Sequence, residues 1–278
     1  HIHITWLNLI MTHSYDGFHT LAHGTQMHRD MRCISNVQLV REGDFLLNEV
    51  TELFLAGPYP ARKVERNITD LKAQIAANAS GVKALLAVCD QFGLAVVRAY
   101  MTFIQENAKS SVMALIRQLP TGSAHTIMDN GAEIVIQVTV SPNKDRMSID
   151  FTGSSAQVTT NFNAPTSVTW AAVLYVFRTL VSTPIPLNDG CLDPIDIVIP
   201  DDCFLNPKPP GAVVAGNVET SQAIVDTLFA ALGVLANSQG TMNNLTFGND
   251  EYQYYETICG GGQALVMGLV GRLRYRLT

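Results

Sequence analysis

From Glu133 the hydrophobic and polar positions alternate with a period of two: Ile134, Ile136, Val138 and Val140 take one side, Val135, Gln137 and Thr139 the other. A polar turn from Ser141 to Arg146 follows, and the same period returns in Met147, Ile149 and Phe151, which predicts an antiparallel hairpin. Before Glu133 the period is helical. Asn67 is placed to cap a helix with Asp70 in its first turn, and Leu71, Ile75, Val82, Leu85 and Leu86 follow near helical spacing. Phe92-Gly93 breaks the run. Beyond it, Val97, Tyr100, Met101, Ile104, Ala108, Val112, Leu115, Ile116 and Leu119 form one apolar stripe expected to face the core.

Past the hairpin, Ala171 to Leu180 is apolar enough for a buried helix, and Ile195 to Ile199 reads as a strand ended by Pro200. Ala212 to Ala215 reads as a short buried strand. Gly216-Asn217 then turns into a helix over Ser221 to Asn237, with Ile224, Leu228, Leu232 and Leu235 on one side. Helices and strands without regular βαβ alternation predict an α+β fold of mixed helices and an antiparallel-rich sheet. A chain of 278 residues is long enough for one main body.

Composition changes little in that picture and excludes some functions. With 47% hydrophobic and 15% charged residues the chain belongs with globular proteins. A formal net charge of −6 provides no basic footprint for nucleic acid. The five cysteines are widely spread with no CxxC pair, which fits a reducing cytoplasm better than a disulfide scaffold or a cysteine zinc site. Val168 to Phe177 and Ala223 to Ala236 are too short, or too interrupted by Asp226 and Gly233, to span a bilayer, so no membrane partner is expected. The opening HIHITWLNLIM has no initiator methionine, basic region or cleavage site, and is expected to be neither a signal peptide nor the natural beginning.

Residues able to carry chemistry cluster in two places. Gly216-Asn217-Val218-Glu219-Thr220-Ser221-Gln222 sets two amides, a carboxylate and two hydroxyls between the expected strand and a helix start, where backbone N–H groups favour an anion. Thr220 or Ser221 capping the helix, with Glu219 beside its dipole, accounts for two of these residues and leaves the others. The second cluster is Ser238 to Asn244, followed by Thr246 to Asn249 and Gln253 to Thr257. Adjacent asparagines are ordinary turn formers. Their density still marks Asn243 and Asn244, with Tyr254, as candidate binding groups. Glu256, beside Tyr254 and Tyr255, fits either a general base or a satisfied structural carboxylate.

Cys259-Gly260-Gly261-Gly262 reads as a turn, because no GxxxxGK[ST] or strand-linked GxGxxG occurs in the chain. ATP, where the function needs it, falls to another chain or domain. Six of the seven histidines (His1, His3, His13, His19, His23, His28) lie in the first 28 residues, with Asp16 and Asp30 among them. Asp16, His28 and Asp30 suit a divalent metal such as Mg, Mn or Zn, and the rival reading is isolated surface histidines near a frayed end. No GxSxG elbow and no cysteine in a reactive context supports a nucleophilic triad.

These same stretches resemble the B component of the hydantoinase and 5-oxoprolinase family, and more closely its 5-oxoprolinase branch. The resemblance is carried by Gly57-Pro-Tyr-Pro-Ala-Arg62, Asn67 to Asn78, Asp150-Phe-Thr-Gly-Ser154 and Asn161-Phe-Asn-Ala-Pro165. Gly216 to Gln222, Gln239-Gly-Thr-Met-Asn-Asn244 and Tyr254 to Gly261 carry it further, so that it covers about four-fifths of the chain. It implies a B-type domain over 37–262, with 1–36 a fragmentary N-terminal region and 263–278 a C-terminal strand segment. The ends depart from the pattern. Ser14-Tyr-Asp-Gly17 and Leu21 to Met27 resemble an early family strand, but Val37 follows nine residues after His28. Met27-His28-Arg29-Asp30 matches only in part a metal-binding His and Asp loop expected in the intervening stretch. Gly268 to Arg274 resembles a strand expected well beyond Gly262, so the numbering is expected to join pieces of a longer polypeptide.

The resemblance implies ATP-dependent hydrolysis of a cyclic amide, most closely 5-oxo-L-proline to L-glutamate. A kinase-like hydantoinase A-type partner, in a hetero-oligomer or dimer, would phosphorylate the amide oxygen, and this chain would open the activated ring. By residue chemistry, Asn217, Ser221 and Gln222 are candidate binding groups, and Glu219 and Glu256 candidate bases. The alternatives are a hydantoin or caprolactam hydrolase subunit, an acetone-carboxylase-like subunit, or a non-catalytic scaffold.

Overall fold

Two apolar cores organise the chain, which in this computed structural model forms two units, His1–Thr102 and Phe103–Thr278. The structure describes residues 6–12, 31–56, 60–61, 64–236, 240–249 and 252–258.

In the first unit β1 (Trp6–Thr12) pairs antiparallel with β2 (Met31–Gln38), and β3 (Val40–Arg41) with β4 (Asp44–Phe45). Three helices follow: α1 (Leu47–Leu55), α2 (Val64–Phe92) and α3 (Leu94–Ile116). Val50 and Phe54 of α1 bury against Ile68 and Leu71 of α2. This packing corrects the expected helix start. α2 begins at Val64, and Asn67 is a buried residue of its first turns rather than its cap. The seam Val64, Ile68, Leu71 runs at helical spacing against α1, so burial of that face extends the helix past the local capping signal. Gly93 separates α2 from α3 as expected, at a left-handed φ of 84° that favours glycine.

The α3 stripe is buried at Val97, Ala108, Val112 and Ile116, and Leu119 beyond the helix is buried too, whereas Tyr100, Met101 and Ile104 are exposed. Periodicity identified one face of the helix correctly. That face enters the core of the second unit only from Ala108 onward.

The second unit is built on a four-stranded sheet in the order β5 (Gly122–Ile127), β6 (Glu133–Val140), β7 (Met147–Asp150), β8 (Ile195–Val198). The first two pairings are antiparallel, and the predicted hairpin is β6 with β7. β7 and β8 are parallel, which requires a crossover. That crossover contains α4 (Thr166–Leu180). α5 (Thr220–Leu232) packs on α4 and on β5 and β6, burying Ile224 and Leu228 with Ile134, Ile136 and Val138 of β6. α5 stops at Leu232 rather than Asn237, because Gly233 adopts a left-handed φ of 64° and closes the helix end with its N–H. A hairpin of β9 (Asn244–Gly248) and β10 (Gln253–Thr257) follows. The α+β class with its open, antiparallel-rich sheet is as expected. Among the described residues no single helix is long and apolar enough to cross a membrane.

Candidate functional site

The start of α5 is fixed by the turn Asn161-Phe-Asn-Ala-Pro165. Asn163 is completely buried, and its side chain serves four backbone groups. Oδ1 accepts from Val158 N–H at 2.9 Å, while Nδ2 is shared among the carbonyls of Val158 at 2.9 Å, Thr160 at 3.0 Å and Ala212 at 2.8 Å. Ala215 N–H donates to Asn161 O at 2.9 Å, and Thr220 Oγ1 donates to Phe162 O at 2.6 Å.

These bonds account for two corrections. Ala212 to Ala215 is not a strand: its polar groups are met by the turn, and Val214–Gly216 forms a single 3-10 turn. Neither Thr220 nor Ser221 caps α5, which has no side-chain cap. Thr220 is committed to Phe162, and Ser221 Oγ donates backward to Asn217 O at 2.8 Å.

Gly216 is where the turn and the helix start approach most closely. A Cβ there would lie 2.3 Å from Asn163 O and 2.8 Å from Ala164 Cα, both backbone atoms. Gly216→Ala is therefore expected to lower unfolding free energy by about 1–3 kcal/mol through overpacking, read by urea denaturation.

Asn217, Ser221 and Gln222 line a cleft of about 260 Å³ between α4 and α5. Ser167, Val168 and Tyr175 of α4 and Val225 of α5 form much of the rest of its lining. The cleft thus combines amide and hydroxyl groups with an apolar wall, a pairing that suits a small ring carrying an amide.

Glu219 is not among the residues lining that cleft, but it stands three residues before Gln222, a neighbouring position at the start of α5. It is half-buried, and its Oε1 accepts from Thr241 Oγ1 at 2.9 Å. Burial pushes its carboxyl above the usual carboxylate range; the Thr241 hydrogen bond opposes this, and the charge of Asp129 adds to it. Seven residues along α5, two helical turns on the same face, Asp226 is a buried carboxylate, and Gly240 lies beside it. The loop Gly240–Asn243 therefore runs along one side of α5.

Asn243 adopts a left-handed φ of 58°, and its Nδ2 donates to Thr241 O at 3.2 Å. Asn244 opens β9 opposite Thr257. On the hairpin, Tyr254 stacks on Phe247 with ring centroids 4.9 Å apart, and its hydroxyl donates to Glu256. That hydrogen bond to the Glu256 carboxylate raises the Tyr254 phenol. Both residues are exposed.

The structure thus groups the sequence candidates in three places: Asn217, Ser221 and Gln222 in the cleft, Glu219 against Thr241, and Tyr254 with Glu256 on the hairpin. The two candidate bases share no hydrogen-bond partner among the described residues. Asp16, His28 and Asp30 lie outside the described residues. Among the described residues no three His, Cys, Asp or Glu side chains come together to hold a metal ion.

Thr241, Asp129, Asp226 and Tyr175 were not singled out as site residues from the sequence. A signal existed for Asp226, a carboxylate inside an apolar helix two turns from Glu219. Thr241 lay inside the second cluster without being chosen from it, and for Asp129 there was no signal, because the proximity of both to Glu219 is made by tertiary packing.

The family model for hydantoinase B/oxoprolinase matches residues 19–267. The chain is 44% identical over 216 residues to 5-oxoprolinase 1 of Arabidopsis thaliana, covering 72% of this chain and 17% of that protein. It is 42% identical over 237 residues to 5-oxoprolinase of Dictyostelium discoideum, covering 82% of this chain and 18% of that protein. The chain thus spans less than a fifth of the length of these relatives. Its fold is similar to that of an ATP-dependent caprolactamase from Pseudomonas jessenii, with a TM-score of 0.65 at 20% identity, covering 85% of this chain and 42% of that one.

Proposed function

The chain belongs to the hydantoinase B/oxoprolinase family, and from that premise we propose that it is the ring-opening part of an ATP-dependent cyclic-amide hydrolase acting on 5-oxo-L-proline. The relatives that support the substrate are those named 5-oxoprolinase, at 44% and 42% identity.

A lactam carbonyl is a poor electrophile because its amide is resonance-stabilised. In this reading a kinase-like partner chain or domain of the hydantoinase A type transfers phosphate from ATP to the amide oxygen. The α4–α5 cleft holds the ring through Asn217, Ser221 and Gln222, and a carboxylate takes the proton from the attacking water. The C–N bond then breaks with the ring nitrogen taking up a proton, and the acyl phosphate so formed is hydrolysed by a second water to release inorganic phosphate. Glu219 is the better base of the two candidates. A half-buried carboxyl held above its usual range is closer to the neutral pH at which a general base works best. Glu256 is exposed and bound to Tyr254.

The cleft lined by Asn217, Ser221 and Gln222, with the half-buried Glu219 carboxylate beside it in sequence at the start of α5, is the observation that carries the proposal. The test is glutamate release from 5-oxoproline by the complete polypeptide with its ATP-handling part, in step with ADP formation. No glutamate from 5-oxoproline, but ring opening of a hydantoin or caprolactam, would move the substrate; no turnover of any cyclic amide would overturn the proposal.

A further inference from the structure

We propose that Thr241 is a positioning residue that orients Glu219 for proton abstraction and couples it to the β9–β10 hairpin. This rests on Glu219 being the base. The Thr241 hydroxyl joins segments 22 residues apart in sequence: it donates to Glu219 Oε1 at 2.9 Å and accepts from Asn243 N–H at 3.4 Å. A hydroxyl has a single proton. With Asn243 N–H donating to its oxygen, that proton is directed at Glu219.

Asn243 then ties the joint to the hairpin from both ends. Its Nδ2 donates to Thr241 O at 3.2 Å, and its own carbonyl accepts from Ile258 N–H at 3.0 Å, one residue beyond β10. The loop is seated on α5 at a second point as well, where a Cβ on Gly240 would lie 3.8 Å from Asp226 Oδ2. Gly240 itself takes a left-handed φ of 71°. The carboxylate, the loop and the hairpin are thereby held in one register.

A donor to a carboxylate favours its charged form, so Thr241 opposes the burial that raises Glu219. Removing the hydroxyl raises Glu219 further and frees its orientation. The chemistry separates this from a merely structural role, since a structural residue alters turnover at every pH alike.

The experiment is the pH profile of kcat/KM for 5-oxoproline turnover by the complete ATP-coupled enzyme, for wild type, Thr241→Val, Thr241→Ser and Glu219→Gln. Thr241→Val is expected to move the acid limb up by about one pH unit, an approximately tenfold loss on that limb, with a smaller loss on the plateau. Thr241→Ser restores the limb. Should valine prevent folding, Thr241→Ala gives the same readout without the second branch. An acid limb left unmoved in the valine or alanine variant, or not restored by serine, overturns the proposal. Glu219→Gln that keeps full activity and the wild-type limb removes the base reading instead, and is distinguishable because it does not depend on position 241.

Discussion

Asn163→Leu leaves little folded protein. Leucine has the branched heavy-atom shape of asparagine but is bulkier, so it leaves no space for a replacement water, and it satisfies none of the four backbone groups the amide serves. Val158 N–H and the carbonyls of Val158, Thr160 and Ala212 would all lose that partner, the Ala212 carbonyl in a fully buried setting and the other three in a partly buried one. At the low end of the penalty for a buried unsatisfied group, about 1 kcal/mol each, the four together cost about 4 kcal/mol. This is comparable with the whole stability of a marginal domain, about 5–15 kcal/mol. The expected result is aggregation on expression, or a urea midpoint displaced far below wild type with an unchanged slope. A midpoint within error of wild type would show that Asn163 is not the fastener of this turn. The effect should exceed that of Gly216→Ala, which displaces the same turn but leaves its hydrogen bonds available.

Asn163 shows why some sequence signals translate into structure and others do not. The resemblance in Asn161 to Pro165 and Asp150 to Ser154 invites a reading as site residues, yet both build turns. Asp150 Oδ1 accepts from Thr152 N–H at 2.8 Å, Gly153 takes a left-handed φ of 99°, and Ser154 Oγ accepts from Val135 N–H on the neighbouring strand at 3.0 Å. Their chemistry is satisfied internally. What the Asn161 to Pro165 turn delivers is the placement of Gly216 to Gln222.

Local signals were legible where geometry is set within a few residues. The alternation at Glu133 to Phe151 fixed a hairpin because a strand has one buried face, and Gly93 broke two helices because only a left-handed residue fits there. The short apolar run Ala212 to Ala215 failed as a strand because four apolar residues carry no period, and their backbone partners come from Asn161 and Asn163, some fifty residues away in sequence. The helix start at Val64 failed for the same kind of reason, its burial against Val50 and Phe54 being non-local. Within the candidate site, the structure brings Asn217, Ser221 and Gln222, which the sequence marked only as binding candidates, to one cleft. The sequence did not reveal the partner of Glu219, because Thr241 arrives from a loop 22 residues on.

Glu219→Gln is expected to lose about 10²–10⁴-fold in kcat for ring opening while the protein stays folded. Glutamine keeps the size and the acceptor for Thr241 Oγ1, so the loop should remain seated, but it cannot take a proton from water. The stability prediction has a definite sign. The folded protein holds the Glu219 carboxyl above its ordinary value of 4.5, chiefly through burial, so between that value and the raised one the folded state binds more protons than the unfolded chain. Stability contributed by this group therefore falls as pH rises through that window, and the charged form is a cost at neutral pH. Removing it should leave the urea midpoint at pH 7 no lower than wild type, whereas at pH 4 the two proteins converge. Activity runs the other way: the base must be ionised, so wild-type kcat/KM falls as pH drops through the raised carboxyl range, and the glutamine variant lacks that limb. Glu256→Gln is the comparison, with the loss confined to the hairpin's hydrogen bond to Tyr254. A Glu219→Gln enzyme that stays folded and keeps full turnover would place the base at another residue.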